Sequence, residues 1–130
     1  MVKITEDNKG FYDAVYSVVM LIPEGKVTTY GHVAELVHRP ANSRQVGSAL
    51  KHSHLLISQL AAMDGDSISY SYSRLPWQRV VGSGGKISPR SDSHGELEQV
   101  TRLRQEGVEV SEARVVSLDR YGWFPDEVSW

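Results

Sequence analysis

The sequence predicts a mainly α domain with a short β element, organised around a helix-turn-helix. Three observations carry this expectation. Apolar residues recur at helical spacing before residue 52, Pro and Gly interrupt them at short intervals, and an alternating pair, Val108 and Val110, follows a C-terminal helical stretch. With 130 residues, 40% apolar and 23% charged, the chain has material for one core, so residues 1–130 are read as a single domain.

Phe11, Val15, Val18, Val19 and Ile22 fall at i, i+4, i+7, i+8 and i+11 and form one stripe of a first helix, which Pro23-Glu24-Gly25 stops. Thr28 or Thr29 can cap a second helix carrying Tyr30, Val33, Ala34 and Val37 inward. Arg39-Pro40-Ala41 breaks it. Asn42 or Ser43 then caps a third helix, whose Val46, Ala49 and Leu50 face the core and whose Arg44, Gly47, Ser48 and Lys51 lie on the other side.

Residues 53–75 change character. Leu55, Leu56, Ile57, Leu60 and Met63 allow a short helix, but Asp64-Gly65-Asp66 and a Ser/Tyr alternation follow, so the stretch is expected to be a long surface loop insertion. Its Tyr70 and Tyr72 serve either for loop packing or for stacking on bases. Pro76 to Val81 reads as a Pro-led turn and a short apolar run, continued by a glycine-rich loop to Ser88 and Arg90. A final helix is expected from His94 to Glu106, with Leu97, Val100 and Leu103 inward, ended by Gly107, and a short strand at Val108 and Val110.

Composition limits the chemistry. There is no cysteine, which excludes disulfides, thiolate zinc sites, iron–sulfur clusters and thiol nucleophiles. Of the five histidines only His52 and His54 lie close in sequence, so no metal and no cofactor is assigned. No apolar run reaches the roughly 20 residues of a membrane span, and the start has no apolar signal core, so a soluble, intracellular protein without membrane contact is expected.

The net charge of −2 conceals an asymmetry: residues 1–90 carry ten Lys/Arg against seven Asp/Glu, whereas 91–130 carry four against nine. The basic part suits a phosphate-bearing partner or is simply a solvated surface. Arg44, Gly47 and Lys51 follow one another at i, i+3 and i+7 beside a helix start, where backbone amides favour phosphate. A glycine mid-helix costs about 1 kcal/mol relative to Ala, so Gly47 suggests that another backbone, of protein or DNA, approaches. Such a basic helix pair is a helix-turn-helix candidate, although many helical domains carry one without touching nucleic acid. The loop at 82–88 matches neither a dinucleotide fingerprint nor a P-loop.

Thr29-Tyr30-Gly31, Ser43-Arg44-Gln45-Val46-Gly47-Ser48-Ala49 and Pro76-Trp77-Gln78-Arg79-Val80, in that order, resemble the DNA-binding domain of the O6-alkylguanine-DNA alkyltransferase family, over about residues 10–123. In the transferases the residue after the motif's proline is the acceptor cysteine, usually followed by histidine; here Trp77 and Gln78 stand there. The Pro-Trp form resembles the alkyltransferase-like branch, which binds the lesion without repairing it. The resemblance implies a winged-helix-like helix-turn-helix fold and a non-enzymatic sensor of O6-alkylguanine in double-stranded DNA. The base would be flipped out, because a pocket behind a helix cannot inspect O6 in a stacked guanine.

It also implies roles. Arg44 resembles the finger that fills the gap in the base stack, and Tyr30 the tyrosine at the flipped nucleotide's phosphate, with Gly47, Ser48 and Lys51 completing the DNA-binding face. Tyr30, Trp77, Val80, Ser83 and Arg90 would line the lesion pocket, Arg90 sensing the altered O6 edge. Arg79 is expected to be structural, pairing with a carboxylate or carbonyl. The acidic C-terminal part would pack behind the site or face a protein, with handover to nucleotide excision repair proteins implied by resemblance. No dimerisation segment is evident and a monomer is expected, in the nucleus of a eukaryote or otherwise in the cytoplasm. The competing class is a sequence-specific helix-turn-helix transcription regulator.

Overall fold

In the computed structural model, which describes residues 3–88 and 93–130, seven helices and one two-stranded parallel ladder are built from the described residues. Helix α1 (Lys9–Val19) buries Val15, Val18 and Val19 as its stripe requires, together with Tyr12 and Tyr16. Tyr16 is fully buried and its hydroxyl donates to the Ala49 carbonyl at 2.7 Å, tying α1 to the third helix; burial pushes this phenol far up.

Strand β1 (Thr28–Thr29) leads directly into α2 (Tyr30–Leu36). The Thr29 hydroxyl accepts from the His32 amide at 3.1 Å, which resolves the choice between the two threonines in favour of Thr29 as the cap. A 3-10 turn at Pro40–Asn42 separates α2 from α3 (Ser43–Lys51). The expected side-chain cap on α3 is absent at Asn42, and Ser43 is already its first helical residue. Val46, Ala49 and Leu50 are buried as expected.

The loop expected at 53–75 is largely helical. Helix α4 (Ser53–Asp64) buries Leu56 and Leu60 in the α1–α3 core, with Ala61 buried beside them, and α5 (Ser67–Ser71) folds back upon it. Turn residues mislead here because Asp64-Gly65-Asp66 marks only the corner between two helices. Tyr70 projects to solvent at 84% exposure, whereas the Tyr72 hydroxyl lies 2.9 Å from Ser17 Oγ and donates to the Asp13 carboxylate. Burial first, and that carboxylate second, push Tyr72 up to about 12.

After a 3-10 turn at Trp77–Arg79, β2 (Val80–Val81) pairs with β1 in parallel, Thr28 opposite Val80 and Thr29 opposite Val81. Helix α6 (Ser93–Gln105) packs Val100 and Leu103 into a second apolar cluster with Val27, Val81, Ile87, Val108, Val110, Val116 and Tyr121. Leu97, expected inside, is half exposed; Gln99 is buried instead, donating to the carbonyls of Gln78 and Val80 at 3.1 and 3.0 Å. The predicted strand at Val108 and Val110 is not formed. Both residues are buried in coil, and the ladder is made by Thr28–Thr29 and Val80–Val81. A short α7 (Leu118–Tyr121), capped by Ser117, precedes the C-terminal tail.

Candidate nucleic-acid interface

A parallel ladder delivers the carboxyl ends of both strands to one edge, and in open sheets that edge is where ligands bind. Here β1 runs into Tyr30 at the start of α2, and β2 runs into the loop 82–88. The loop is stapled from behind: the Val116 amide donates to the Gly85 carbonyl (2.8 Å) and the Ile87 amide to that of Arg114 (3.0 Å). Gly85 has φ +85° and its missing side chain is where the Val116 carbonyl sits, so no other residue fits.

The two ends and α3 enclose a cleft of about 710 Å³ lined by residues of four segments: Thr29, Tyr30 and Gly31; Ser43, Arg44, Gly47 and Lys51; Ser83, Gly84 and Ser88; Leu118 and Phe124. The Ser88 hydroxyl donates to Tyr30 Oη at 3.4 Å. Arg44 and Lys51 are exposed on one face of α3, two turns apart, and neither pairs with a carboxylate among the described residues. A cleft with two cations unpaired among the described residues, five hydroxyl-bearing residues and the start of α3 has the chemistry of a phosphodiester site.

Of the residues expected on the DNA-binding face, Tyr30, Arg44, Gly47 and Lys51 therefore meet in one cleft, while Ser48 lies on the same helix outside its lining. Of the two approaches expected at Gly47, that of a protein backbone is not met among the described residues: beyond the helix's own backbone, the nearest atoms to where its Cβ would be are Tyr30 ring carbons at 3.9 and 4.0 Å, an ordinary contact, and the position faces the cleft.

The expected lesion pocket is divided. Ser83 joins Tyr30, but Val80 is fully buried in the core as the strand partner of Thr28 and lines no cleft. Trp77 does not line the Tyr30 cleft either. Its 3-10 turn, with the Trp77 amide on the Leu75 carbonyl, directs the indole into a second cleft of about 1100 Å³ between α4, Tyr72 and α6. There the Arg102 guanidinium stands 5.4 Å from the ring centroid. Arg90 lies outside the described residues.

Beside Trp77, Glu106 is the hub of the turn. Its carboxylate accepts from Arg79 Nε (2.9 Å), Gln78 Nε2 (2.6 Å) and the Gly25 amide (3.0 Å), and Arg79 also donates to the Ile22 carbonyl (2.8 Å). Burial alone would raise this carboxyl, but the three donors outweigh it and hold it below the usual range. The structural role expected for Arg79 is thus met by a carboxylate and a carbonyl together.

Leu118 and Phe124 were not foreseen in the cleft. The acidic composition of their segment argued for packing behind the site or for a protein-facing surface, and the only signal was a Trp-Phe pair following the last glycine.

Comparisons with known proteins identify the family. The family described as the DNA-binding domain of 6-O-methylguanine DNA methyltransferase matches residues 10–108. Alkyltransferase-like protein 1 of Schizosaccharomyces pombe is 40% identical over 119 residues, 88% of this chain and 95% of its own. The DNA base-flipping protein of Escherichia coli is 38% identical over 118 residues, 91% of this chain and 78% of its own. The crystal structure of S. pombe Atl1 in complex with damaged DNA containing O6-carboxymethylguanine superposes with a TM-score of 0.72 at 38% identity, covering 94% of this chain and all of that one. An S. pombe ATL in complex with DNA follows at 0.67 and 36%, with the same coverage. With the helix-turn-helix cleft intact and Trp77 at the position after the motif's proline, the chain belongs to the 6-O-methylguanine DNA methyltransferase DNA-binding-domain family, in its alkyltransferase-like branch.

Proposed function

We propose that this protein is a non-enzymatic sensor of O6-alkylguanine in duplex DNA. The observation that carries the reading is the cleft in which Tyr30, Arg44 and Lys51 converge with the Ser83–Ser88 loop, in a chain that contains no thiol. Lys51 and Arg44 engage the DNA backbone; Arg44, on the first turn of α3, enters the base stack as the nucleotide leaves it. A planar guanidinium replaces the lost stacking and hydrogen bonds. Tyr30, beside Gly47 and bonded to Ser88, presents its hydroxyl to the extruded nucleotide's phosphate, and Ser83 contributes to the pocket. Arg90 supplies charge to the O6 edge, and Trp77, which lines the neighbouring cleft, gives apolar contact to those alkyl groups long enough to reach it.

Alkyl transfer requires a thiolate made by a neighbouring base, and a tryptophan followed by glutamine offers neither. The lesion therefore stays intact and the protein acts by marking it. Handover to nucleotide excision repair proteins is the corresponding outcome, with the exposed carboxylates of the C-terminal part, Glu109, Glu112 and Asp119 among them, as the protein-facing surface. The protein works as a monomer where the genome lies, in the nucleus of a eukaryote or otherwise in the cytoplasm.

The test is titration of matched duplexes carrying guanine or O6-methylguanine at one position, with mass spectrometry of protein and DNA after release. Preference for the lesion with both masses unchanged is expected. Discrimination by orders of magnitude among undamaged sequences would instead indicate a transcription regulator.

A further inference from the structure

Phe124 is an aromatic residue left 45% exposed by the fold, yet it is held firmly in place. Its ring meets the His32 ring edge-on, with centroids 5.1 Å apart and planes at 86°. The backbone on either side is anchored: the Trp123 amide donates to the Val27 carbonyl at 2.7 Å, and His32 Nε2–H donates to the Pro125 carbonyl at 2.7 Å. The edge of the Phe124 ring occupies the space that a Cβ on Gly122 would take. Four contacts thus fix a ring whose other surface is open.

That ring lines the same cleft as Tyr30, Arg44 and Lys51, where most other lining side chains are hydroxyl-bearing or cationic. Contacts to phosphate and to the polar edges of a base are already served by them. Besides Tyr30, whose hydroxyl is engaged by Ser88, Phe124 is the one aromatic ring in that lining among the described residues, and an exposed aromatic ring held rigid pays little ordering entropy on binding.

We propose that Phe124 is a DNA contact, the apolar wall on which the deoxyribose and base of the extruded nucleotide pack. The proposal rests on the reading that DNA occupies this cleft. It makes the C-terminal tail part of the binding surface, with His32 as the residue that positions the ring.

The experiment uses the full chain and a fluorescein-labelled duplex with a single O6-methylguanine, titrated over a salt series beside its undamaged twin. Phe124→Ala is expected to weaken lesion binding about fivefold or more, the scale of one base–aromatic contact. The slope of log affinity against log salt should stay at the wild-type value, since the ring neutralises no phosphate. Phe124→Trp should retain affinity and Phe124→Leu should fall between. Wild-type affinity in Phe124→Ala, or a loss that brings a changed salt slope, overturns the proposal; the latter means the ring acts only by placing the basic groups. If Phe124→Ala does not fold, the Trp and Leu variants decide, and equal affinity for Leu and Phe overturns it. Arg44→Ala separates the two levels. If it loses binding while Phe124→Ala does not, the cleft reading stands and the Phe124 contact falls; if neither matters, the cleft reading falls with it.

Discussion

Gln78 donates its side-chain amide to the Glu106 carboxylate over 2.6 Å, and it does so from the position next to Trp77. A carboxylate is therefore already in place to orient whatever stands at residue 78, but an amide cannot take a proton from a neighbour. Trp77→Cys alone should gain almost no alkyl-acceptor activity. Trp77→Cys combined with Gln78→His should gain measurable transfer, because an imidazole beside Glu106 completes a nucleophile, base and orienting group. Intact-protein mass after incubation with an O6-methylguanine duplex checks both; rapid transfer by the single variant would refute the argument.

Arg44 and Lys51 share a helix face but not a task. Arg44→Ala should weaken lesion binding by about 1–3 kcal/mol, the scale of a lost interfacial arginine. It should also reduce the fluorescence of a base analogue next to the lesion. Lys51→Ala should only lower the salt slope by about one phosphate. Equal loss of lesion preference in both variants would mean that the finger is elsewhere.

The half-buried Arg79–Glu106 pair holds the turn that carries Trp77. Glu106→Ala strands a guanidinium and two further donors and should cost about 3 kcal/mol, measured by denaturant melts. Because the folded carboxyl titrates below its ordinary value of 4.5, its contribution is complete above that pH and is lost as pH falls below it. Wild type should thus lose stability on acidification faster than Glu106→Gln over the same range. Parallel curves would show that the pair contributes nothing.

Gly122 has room for no side chain: a Cβ would meet both the Leu118 carbonyl and the Phe124 ring. Gly122→Ala must displace both, at about 1–3 kcal/mol of overpacking. Lesion affinity should fall with it, toward that of Phe124→Ala. Thermal melts and binding titrations on the same preparation test this, and unchanged values of both would contradict it.

Trp77 and Arg90 should fail differently. Trp77→Ala should cost most for bulky O6 adducts, by about 25 cal/mol for each Å² of apolar surface uncovered. It should also free Arg102, whose guanidinium stands 5.4 Å from the indole centroid. Arg90→Ala should narrow the gap between O6-alkylguanine and guanine with little dependence on adduct size. Titration of both variants with guanine, O6-methylguanine and O6-benzylguanine in one duplex distinguishes them, and a loss at Trp77 that is independent of adduct size would place the wall elsewhere.

By itself the sequence determined the helices α1, α2 and α3, the basic face of Arg44 and Lys51, and the lack of any thiol, because a 3.6-residue apolar stripe, a capping threonine and a missing residue type are all local facts. The three motifs in order were equally legible. Only the tertiary structure decided which of these residues meet. Thr28–Thr29 and Val80–Val81 are too short to announce a strand, and they pair across some fifty residues where the two apolar clusters adjoin, Val80 packed in the first and Val81 in the second; that pairing brings Tyr30 to the Ser83–Ser88 loop. The direction of the Trp77 indole follows from a 3-10 turn anchored by Glu106 on α6's end, and the place of Phe124 from contacts with Gly122 and His32. Side chains in turns and tails carry no period, so only the packing around them fixes where they point.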